Sequence, residues 1–313
     1  MAIRLLVIVG PNAVGKTRLG IRVAHALGSE IISADSRQVY RGLDIGSGKD
    51  LEEYRRVEPP VPHHLIDVAE PQAIYSLFHY QSDCYRLLES KAGERPFADG
   101  LPLVMVGGTG LYVEAVLRGY RMANVPEDVE LRESLMRRGH QELIEELQRL
   151  DPDLADRTDC SSKKRVVRAL EIVEHARDHE VHYSEPPPVA IEHAVYGIDV
   201  ARDELHRRID LRLDERMNEG MLAEVQGLLD AGVTPARMEM LGLEYGEVTA
   251  LLTGRKSEQQ MIDDLRRGIR KLAKRQMTWF RGLSRRGIEV TWIGPDDHDV
   301  VLKHPWCGDV GVR

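Results

Sequence analysis

Cysteine is scarce in this chain: three among 313 residues. Cys84, Cys160 and Cys307 lie far apart and are odd in number, which excludes a disulfide framework and a cysteine-ligated zinc site and suits a reducing, cytoplasmic setting. No apolar run approaches the ~18 residues needed to cross a bilayer, so no membrane partner is expected. The N-terminus runs directly into a strand pattern, without the features of a secretory leader. Internal repeats and low-complexity tracts are missing as well, which excludes solenoids and arrays. A positive net charge is also lacking. The formal charge is −8, which taken as a sum speaks against a nucleic-acid partner. Its distribution is uneven, however. Residues 255–286 hold eleven Lys and Arg against three acids, and residues 127–157 hold ten acids against five bases. Such blocks are solvated helix faces or contacts for a polyanion, and charge alone leaves both readings open.

What the chain does have is Gly10-Pro11-Asn12-Ala13-Val14-Gly15-Lys16-Thr17. This run fits the phosphate-loop pattern G-x-x-x-x-G-K-[ST] at every fixed position. An apolar stretch, Arg4 to Val9, leads into it as a buried strand. Leu19, Val23 and Leu27 follow at helical spacing. Glycines let successive N–H groups point at phosphate oxygens, and the helix N-terminus adds partial positive charge. Lys16 supplies a full charge, and the Thr17 hydroxyl is placed to ligate Mg²⁺.

Further strands are expected at Glu30 to Asp35, Leu101 to Val106, His193 to Asp199 and Glu289 to Ile293. Helices alternate with them, which predicts an α/β fold with a doubly wound parallel sheet. Residues 114–192 contain no convincing strand and read as a helical insertion. The division is therefore a first core segment (1–113), the insertion (114–192) and a second core segment (193–313) ending in a basic helix. Pro235 reads as a loop, and His63-His64 as loop structure or substrate contact.

In open parallel sheets, ligands sit at the carboxyl ends of the strands. Three loops converge there: the phosphate loop, Asp35 with the residues after it, and Gly107-Gly108-Thr109-Gly110. The first and third can cradle a diphosphate. Asp35 is then a candidate base, with a Mg²⁺ ligand or a helix cap as competing readings. Thr109 is a candidate donor to a leaving oxygen, or a turn residue. Arg212 is a candidate partner for leaving diphosphate, against a surface ion pair with Asp214 or Glu215. The strand at Val106 ends in Gly107 where many phosphate-loop hydrolases carry an acid, which weakens a motor-ATPase or GTPase reading. Two classes survive: a nucleotide kinase, and a transferase with diphosphate as its leaving group.

Longer runs resolve the choice. Ile32-Ser33-Ala34-Asp35-Ser36-Arg37-Gln38-Val39-Tyr40-Arg41-Gly42-Leu43-Asp44-Ile45-Gly46, His63-His64-Leu65-Ile66-Asp67, Gly107 to Tyr112, Arg165-Val166-Val167-Arg168 and Lys271 to Arg281 together resemble the tRNA dimethylallyltransferase family. The resemblance spans about 5–290 in the family's order. It implies a P-loop NTPase-like core with a helical insertion that grips the anticodon stem-loop. It also implies transfer of a dimethylallyl group from dimethylallyl diphosphate to N6 of the adenosine 3′ of the anticodon, in tRNAs reading codons that start with U. By that resemblance Asp35 is the general base, and Thr109 and Arg212 assist the leaving group. Gly10, Pro11, Asn12, Ala13, Val14, Gly15, Lys16 and Thr17 hold the diphosphate, with Mg²⁺ at Thr17. Asp35, Ser36, Arg37, Gln38, Arg132, Lys164, Arg165 and Arg168 contact tRNA. The expected working unit is a monomer.

The chain also departs from the family pattern. Arg157 to Ser162 replaces a His-x-Asn-Asp type turn, His175 to Pro188 replaces a Thr-Gly-Lys turn, Leu243 stands where Tyr often follows Gly242, and Ser47-Gly48-Lys49 replaces Thr-Ala-Lys. An adenylate isopentenyltransferase acting on free nucleotide is the alternative within the family. The insertion and the basic helix oppose it, since a free nucleotide needs no large grip.

Overall fold

The computed structural model describes residues 2–312. Among them, β1 (Ala2–Val9), β2 (Ile31–Ser33), β3 (His63–His64), β4 (Leu103–Gly107), β5 (Ala190–Ile198) and β6 (Val290–Ile293) form one parallel sheet in the order β3-β2-β4-β1-β5-β6. The continuous apolar run of β1 follows from its central place, since a parallel strand is covered on both faces. Leu5, Val7 and Val9 enter the core on one face, with Tyr80, Met105 and Phe280. Leu6 and Ile8 enter the core on the other, with Leu19, Val23 and Ile293. Each such side chain contributes roughly 1.5–3 kcal/mol by leaving water.

His63-His64 is an edge strand, too short for any periodicity to reveal. His64 Nε2 lies 2.6 Å from Glu30 Oε2, and the His63 ring sits 4.6 Å from that of Tyr54. Burial lowers the pKa of His63. Pro235 opens a helix, Pro235–Leu241, instead of marking a loop. It stands at the first helical position, where its missing N–H costs nothing, and Thr234 caps the turn by accepting from the Arg237 N–H.

The chain forms two compact units, residues 1–119 with 187–313, and residues 120–186. These limits differ from the expected 114 and 192 at both ends. The helix Gly110–Arg118 continues past 114 because Val113 and Val116 pack into the sheet core, and it stops at Gly119 in a left-handed conformation, φ +62°. β5 starts before His193 because Ala190 and Ile191 pair with Ala2 and Ile3. In the smaller unit the helices Val129–Arg137, His140–Leu150, Pro152–Arg157 and Lys163–His175 share a core of Leu135, Leu143, Leu147, Val166, Val167 and Leu170. Ala123 and Tyr183 form an antiparallel bridge in it. Glu171 is buried there and accepts from Arg132 through Nε (2.8 Å) and Nη2 (2.7 Å), and from Arg168 Nη1 (3.2 Å).

Candidate active site

Strand register creates the site. Val9 pairs with Gly107 and Ser33 with Val106, so the loops leaving β1, β4 and β2 begin side by side. The junction is tight. A Cβ on Gly107 would overlap the Ala34 carbonyl, which itself accepts from the Thr109 N–H at 3.1 Å. Glycine is the residue that lets these two loops touch.

The phosphate loop turns through Ala13 and Gly15, both left-handed at φ +66° and +92°, into the helix Lys16–Leu27. Lys16 Nζ donates to the Pro11 carbonyl at 2.8 Å. The scarcity of water around Lys16 lowers its pKa to about 8; Asp35 opposes that shift and Arg212 adds to it. Lys16, Thr17, Asp35, Thr109 and Arg212 all line one cavity of about 340 Å³.

Among the described residues Asp35 caps no helix and forms no ion pair. Its Oδ1 accepts from the Arg37 N–H at 2.9 Å, a local turn that fixes the carboxylate at the cavity wall. Thr109 Oγ1 accepts from the Ser36 N–H at 3.0 Å and lies 3.3 Å from Ser36 Oγ, so the hydroxyl ties the β4 turn to the Asp35 loop. Gln38 is buried, accepting from Ser33 Oγ at 3.0 Å and donating to the Gly48 carbonyl at 3.1 Å. Arg37 Nη1 donates to the Met240 carbonyl at 2.9 Å.

Arg212 stands on the helix Arg202–Glu219 and faces the cavity. It pairs with Asp50 and reaches the Gly48 carbonyl at 3.4 Å. The surface pair with Asp214 or Glu215 does not form, because Asp214 is taken by Arg266 at 3.0 Å and Arg212 points inward. Lys49 is 1% exposed and buried against Asp67 (2.5 Å), Asp44 (2.6 Å) and the Tyr40 carbonyl (2.7 Å), which closes the loop behind Gly48.

Two residues of this site escape a reading by motif. Glu224 accepts from the N–H groups of Asp44 (3.0 Å), Ile45 (2.6 Å) and Gly46 (3.0 Å), and from the Tyr245 hydroxyl at 2.8 Å. Tyr245 in turn accepts from the Ser47 N–H at 3.1 Å. Gln276 accepts from the Asn12 N–H at 2.9 Å and donates to Asn12 Oδ1 at 3.2 Å and to the Gly108 carbonyl at 3.0 Å. It therefore clamps both glycine turns from the helix Glu258–Arg281. Glu224 carries no sequence signal. Gln276 sits inside the Lys271–Arg281 run, which reads as basic.

Comparison with known proteins agrees with this geometry. The sequence matches the IPP transferase family over residues 38–283 and the isopentenyl transferase family over residues 3–57. It is 45% identical to tRNA dimethylallyltransferase 1 of Syntrophus aciditrophicus, covering 95% of both chains. The chain belongs to the IPP transferase family. A second tRNA dimethylallyltransferase 1, from Porphyromonas gingivalis, is 44% identical over 92% of this chain and 93% of its own. Among solved structures, the tRNA isopentenylpyrophosphate transferase of Bacillus halodurans superposes with a TM-score of 0.66 at 33% identity, covering 95% of each chain. A eukaryotic dimethylallyltransferase acting on tRNA shares the fold, with a TM-score of 0.68 at 21% identity and coverage of 97% of this chain and 77% of its own.

In this IPP transferase the basic helix is less available than its charge suggests. Arg266, Arg267, Arg270 and Arg281 are paired with Asp214, Asp264, Asp210 and Asp199. Lys271, Lys274 and Arg275 are exposed, and no acid pairs with them among the described residues. In the smaller unit Lys164 and Arg165 are exposed, Arg165 on Asp159. Arg132 and Arg168 are committed to Glu171, and Arg168 also donates to the carbonyls of Val125 and Pro126. Arg132 also pairs with Glu127, and both guanidiniums stay about a third exposed.

The donor set suits Mg²⁺ better than a softer metal. Among the described residues no group of three His, Cys, Asp or Glu can hold an ion. The Thr17 hydroxyl on the cavity wall is a hard ligand of the kind Mg²⁺ takes together with substrate phosphates and water. No helix among the described residues is long and apolar enough to cross a membrane.

Proposed function

We propose that this chain transfers a dimethylallyl group from dimethylallyl diphosphate to N6 of the adenosine 3′-adjacent to the anticodon, in tRNAs reading codons that start with U, releasing diphosphate. The observation that carries the reading is one cavity holding a carboxylate, Asp35, and a phosphate site built from Lys16, Thr17 and Arg212. A carboxylate beside a phosphate site also suits a kinase; membership of the IPP transferase family is what favours prenyl transfer over phosphoryl transfer. Family membership supports tRNA as the acceptor.

The chemistry assigns each group a task. The adenine leaves the anticodon-loop stack to enter the cavity, the usual mode when a reaction targets a base. Asp35 takes the proton from the N6 amine as nitrogen attacks the allylic carbon and the C–O bond to diphosphate breaks. The electron pair leaves with the diphosphate. Loop N–H groups, Lys16 and Arg212 stabilise its growing charge. Thr109 holds the Asp35 loop against the β4 turn and donates to the leaving oxygen when its hydroxyl swings from Ser36. Mg²⁺, held by Thr17 and phosphate oxygens, would supply further charge compensation.

Lys271, Lys274, Arg275, Lys164 and Arg165 supply RNA phosphate contacts. Ser36, Arg37 and Gln38 shape the entrance for the base. The working unit we propose is a monomer. Free thiols at Cys84, Cys160 and Cys307 support a cytoplasmic setting.

The test is incubation with labelled dimethylallyl diphosphate and Mg²⁺, offering unmodified tRNA or AMP. Label in tRNA is the expected result. Label in AMP alone moves the chain to the free-nucleotide class, and phosphoryl transfer from ATP without prenyl transfer sinks the proposal.

A further inference from the structure

Arg216 lies one helical turn beyond Arg212 on the helix Arg202–Glu219 and lines the same cavity. Its side chain is 13% exposed. Arg216 Nη1 donates to the Gly46 carbonyl at 3.2 Å and lies 3.6 Å from Glu244, itself nearly buried. Among the described residues no hydrogen-bond acceptor meets Arg216 Nη2. Five donors on a guanidinium this buried, with so few acceptors, leave unmet bonding capacity facing the cavity.

The position of that Nη2 is informative. Gly48 is left-handed, φ +63°, and a Cβ built on it would overlap Arg216 Nη2 and stand 2.6 Å from Arg212 Nη2. The two guanidiniums therefore converge on the space a side chain at 48 would occupy. An alanine at position 48 would leave no room for Arg216 in this pose. Two like charges brought to one point in a half-dry cavity repel unless an anion lies between them. The repulsion registers on the groups themselves. Burial, then Arg212, pull the Arg216 pKa down against Glu244 and Asp50.

We propose that Arg216 is a second guanidinium ligand of the leaving diphosphate, acting beside Arg212, with Gly48 as the residue that makes room for it. This rests on the diphosphate reading of the phosphate loop given above. Each arginine is held before ligand arrives, Arg212 by Asp50 and Arg216 by the Gly46 carbonyl and Glu244. The pair is thus preorganised for an anion carrying several negative charges, and binding it demands little reordering. The Glu224 cradle fixes the backbone of residues 44–47, and with it the carbonyl that aims Arg216.

The test uses inorganic diphosphate with Mg²⁺ as probe, titrated calorimetrically into the full chain. Arg216→Gln keeps a donor for the Gly46 carbonyl and removes the charge, so a merely structural strut is largely spared. Loss of a charge-assisted bond should weaken diphosphate binding about 10- to 100-fold. Arg216→Lys should recover part of that loss. kcat/KM for dimethylallyl diphosphate should fall in parallel, with the dissociation constant for tRNA unchanged. Two results overturn the proposal: R216Q binding diphosphate as tightly as wild type, or R216Q losing tRNA affinity with diphosphate affinity intact. If R216Q does not fold, Arg216→Met and R216K are compared for the same difference. A wild-type chain that fails to bind diphosphate removes the diphosphate reading itself, and this proposal with it. Wild type that binds while R216Q binds equally well removes Arg216 alone.

Discussion

Asn12 gives its backbone N–H to Gln276 Oε1 at 2.9 Å and receives Gln276 Nε2–H on its own Oδ1 at 3.2 Å. A side chain from a helix 264 residues further along the chain thereby sets the opening of the phosphate loop. Gln276 acts through Asn12 and Gly108 as a positioning residue.

Gln276→Glu preserves the acceptor for the Asn12 N–H and loses the donors to Asn12 Oδ1 and the Gly108 carbonyl. It also adds negative charge beside a diphosphate. KM for dimethylallyl diphosphate should rise about tenfold or more, with a smaller change in KM for tRNA. Steady-state kinetics with each substrate varied in turn measures the split. Equal KM increases for both substrates would contradict a role confined to the phosphate side.

Asp35→Asn keeps the acceptor for the Arg37 N–H and removes the base. Turnover should drop by ~10²–10⁴ while tRNA affinity stays near wild type. Single-turnover rates combined with filter binding give both numbers. Turnover at the wild-type level in this variant would take Asp35 out of the role.

The lowered pKa of Lys16 has a definite sign. Its ordinary value is 10.5 and its folded value about 8, so between these limits the unfolded chain holds more protons than the folded one. This residue's contribution to stability therefore rises as pH climbs from about 8 to 10.5. Diphosphate binding runs the other way, because it requires the charged ammonium. Affinity should fall as pH rises above about 8, and binding at pH 8 should take up ~0.5 proton. Calorimetry in buffers of different ionisation enthalpy reads the uptake, and Lys16→Met should abolish it.

Glu171→Ala leaves Arg132 and Arg168 without their buried carboxylate. Both guanidiniums are about a third exposed and can rehydrate, so the cost should be about 1–3 kcal/mol. Hydrogen exchange should speed up within residues 120–186, while diphosphate binding by the larger unit is unchanged. Unaltered exchange in the helices Val129–Arg137 and Lys163–His175 would mean that the cluster adds no stability.

The phosphate loop, the Asp35 loop and the β4 turn were legible because each follows an apolar strand and is punctuated by glycine or an acid. The two-residue strand His63–His64 was not, because a pair of residues has no period. The inward aim of Arg212 could not be read from its neighbours Asp214 and Glu215. It depends on Asp50 and Gly48, which lie more than 160 residues away. Distance in the chain likewise hides Glu224 and Gln276, most of whose partners are backbone groups with no residue signature. Charge counting within residues 255–286 left the role of the basic helix open, because Asp210 and Asp214, which neutralise part of it, lie on the helix Arg202–Glu219 far away in the chain.

The placement of β1 between β4 and β5 has a consequence for synthesis. Leu5 pairs with Leu103 on one side and with His193 on the other. A nascent chain can cover the first edge once β4 emerges, but the second edge waits for β5, after the whole of residues 120–186. At ~5–20 residues per second this leaves an apolar strand with an open edge for several seconds or longer. The smaller unit carries its own core and can fold during that interval. The half-finished sheet is then the stage at which this chain is most exposed to aggregation, and ribosome-stalled chains ending near residue 150 should bind chaperones more strongly than chains ending near residue 250.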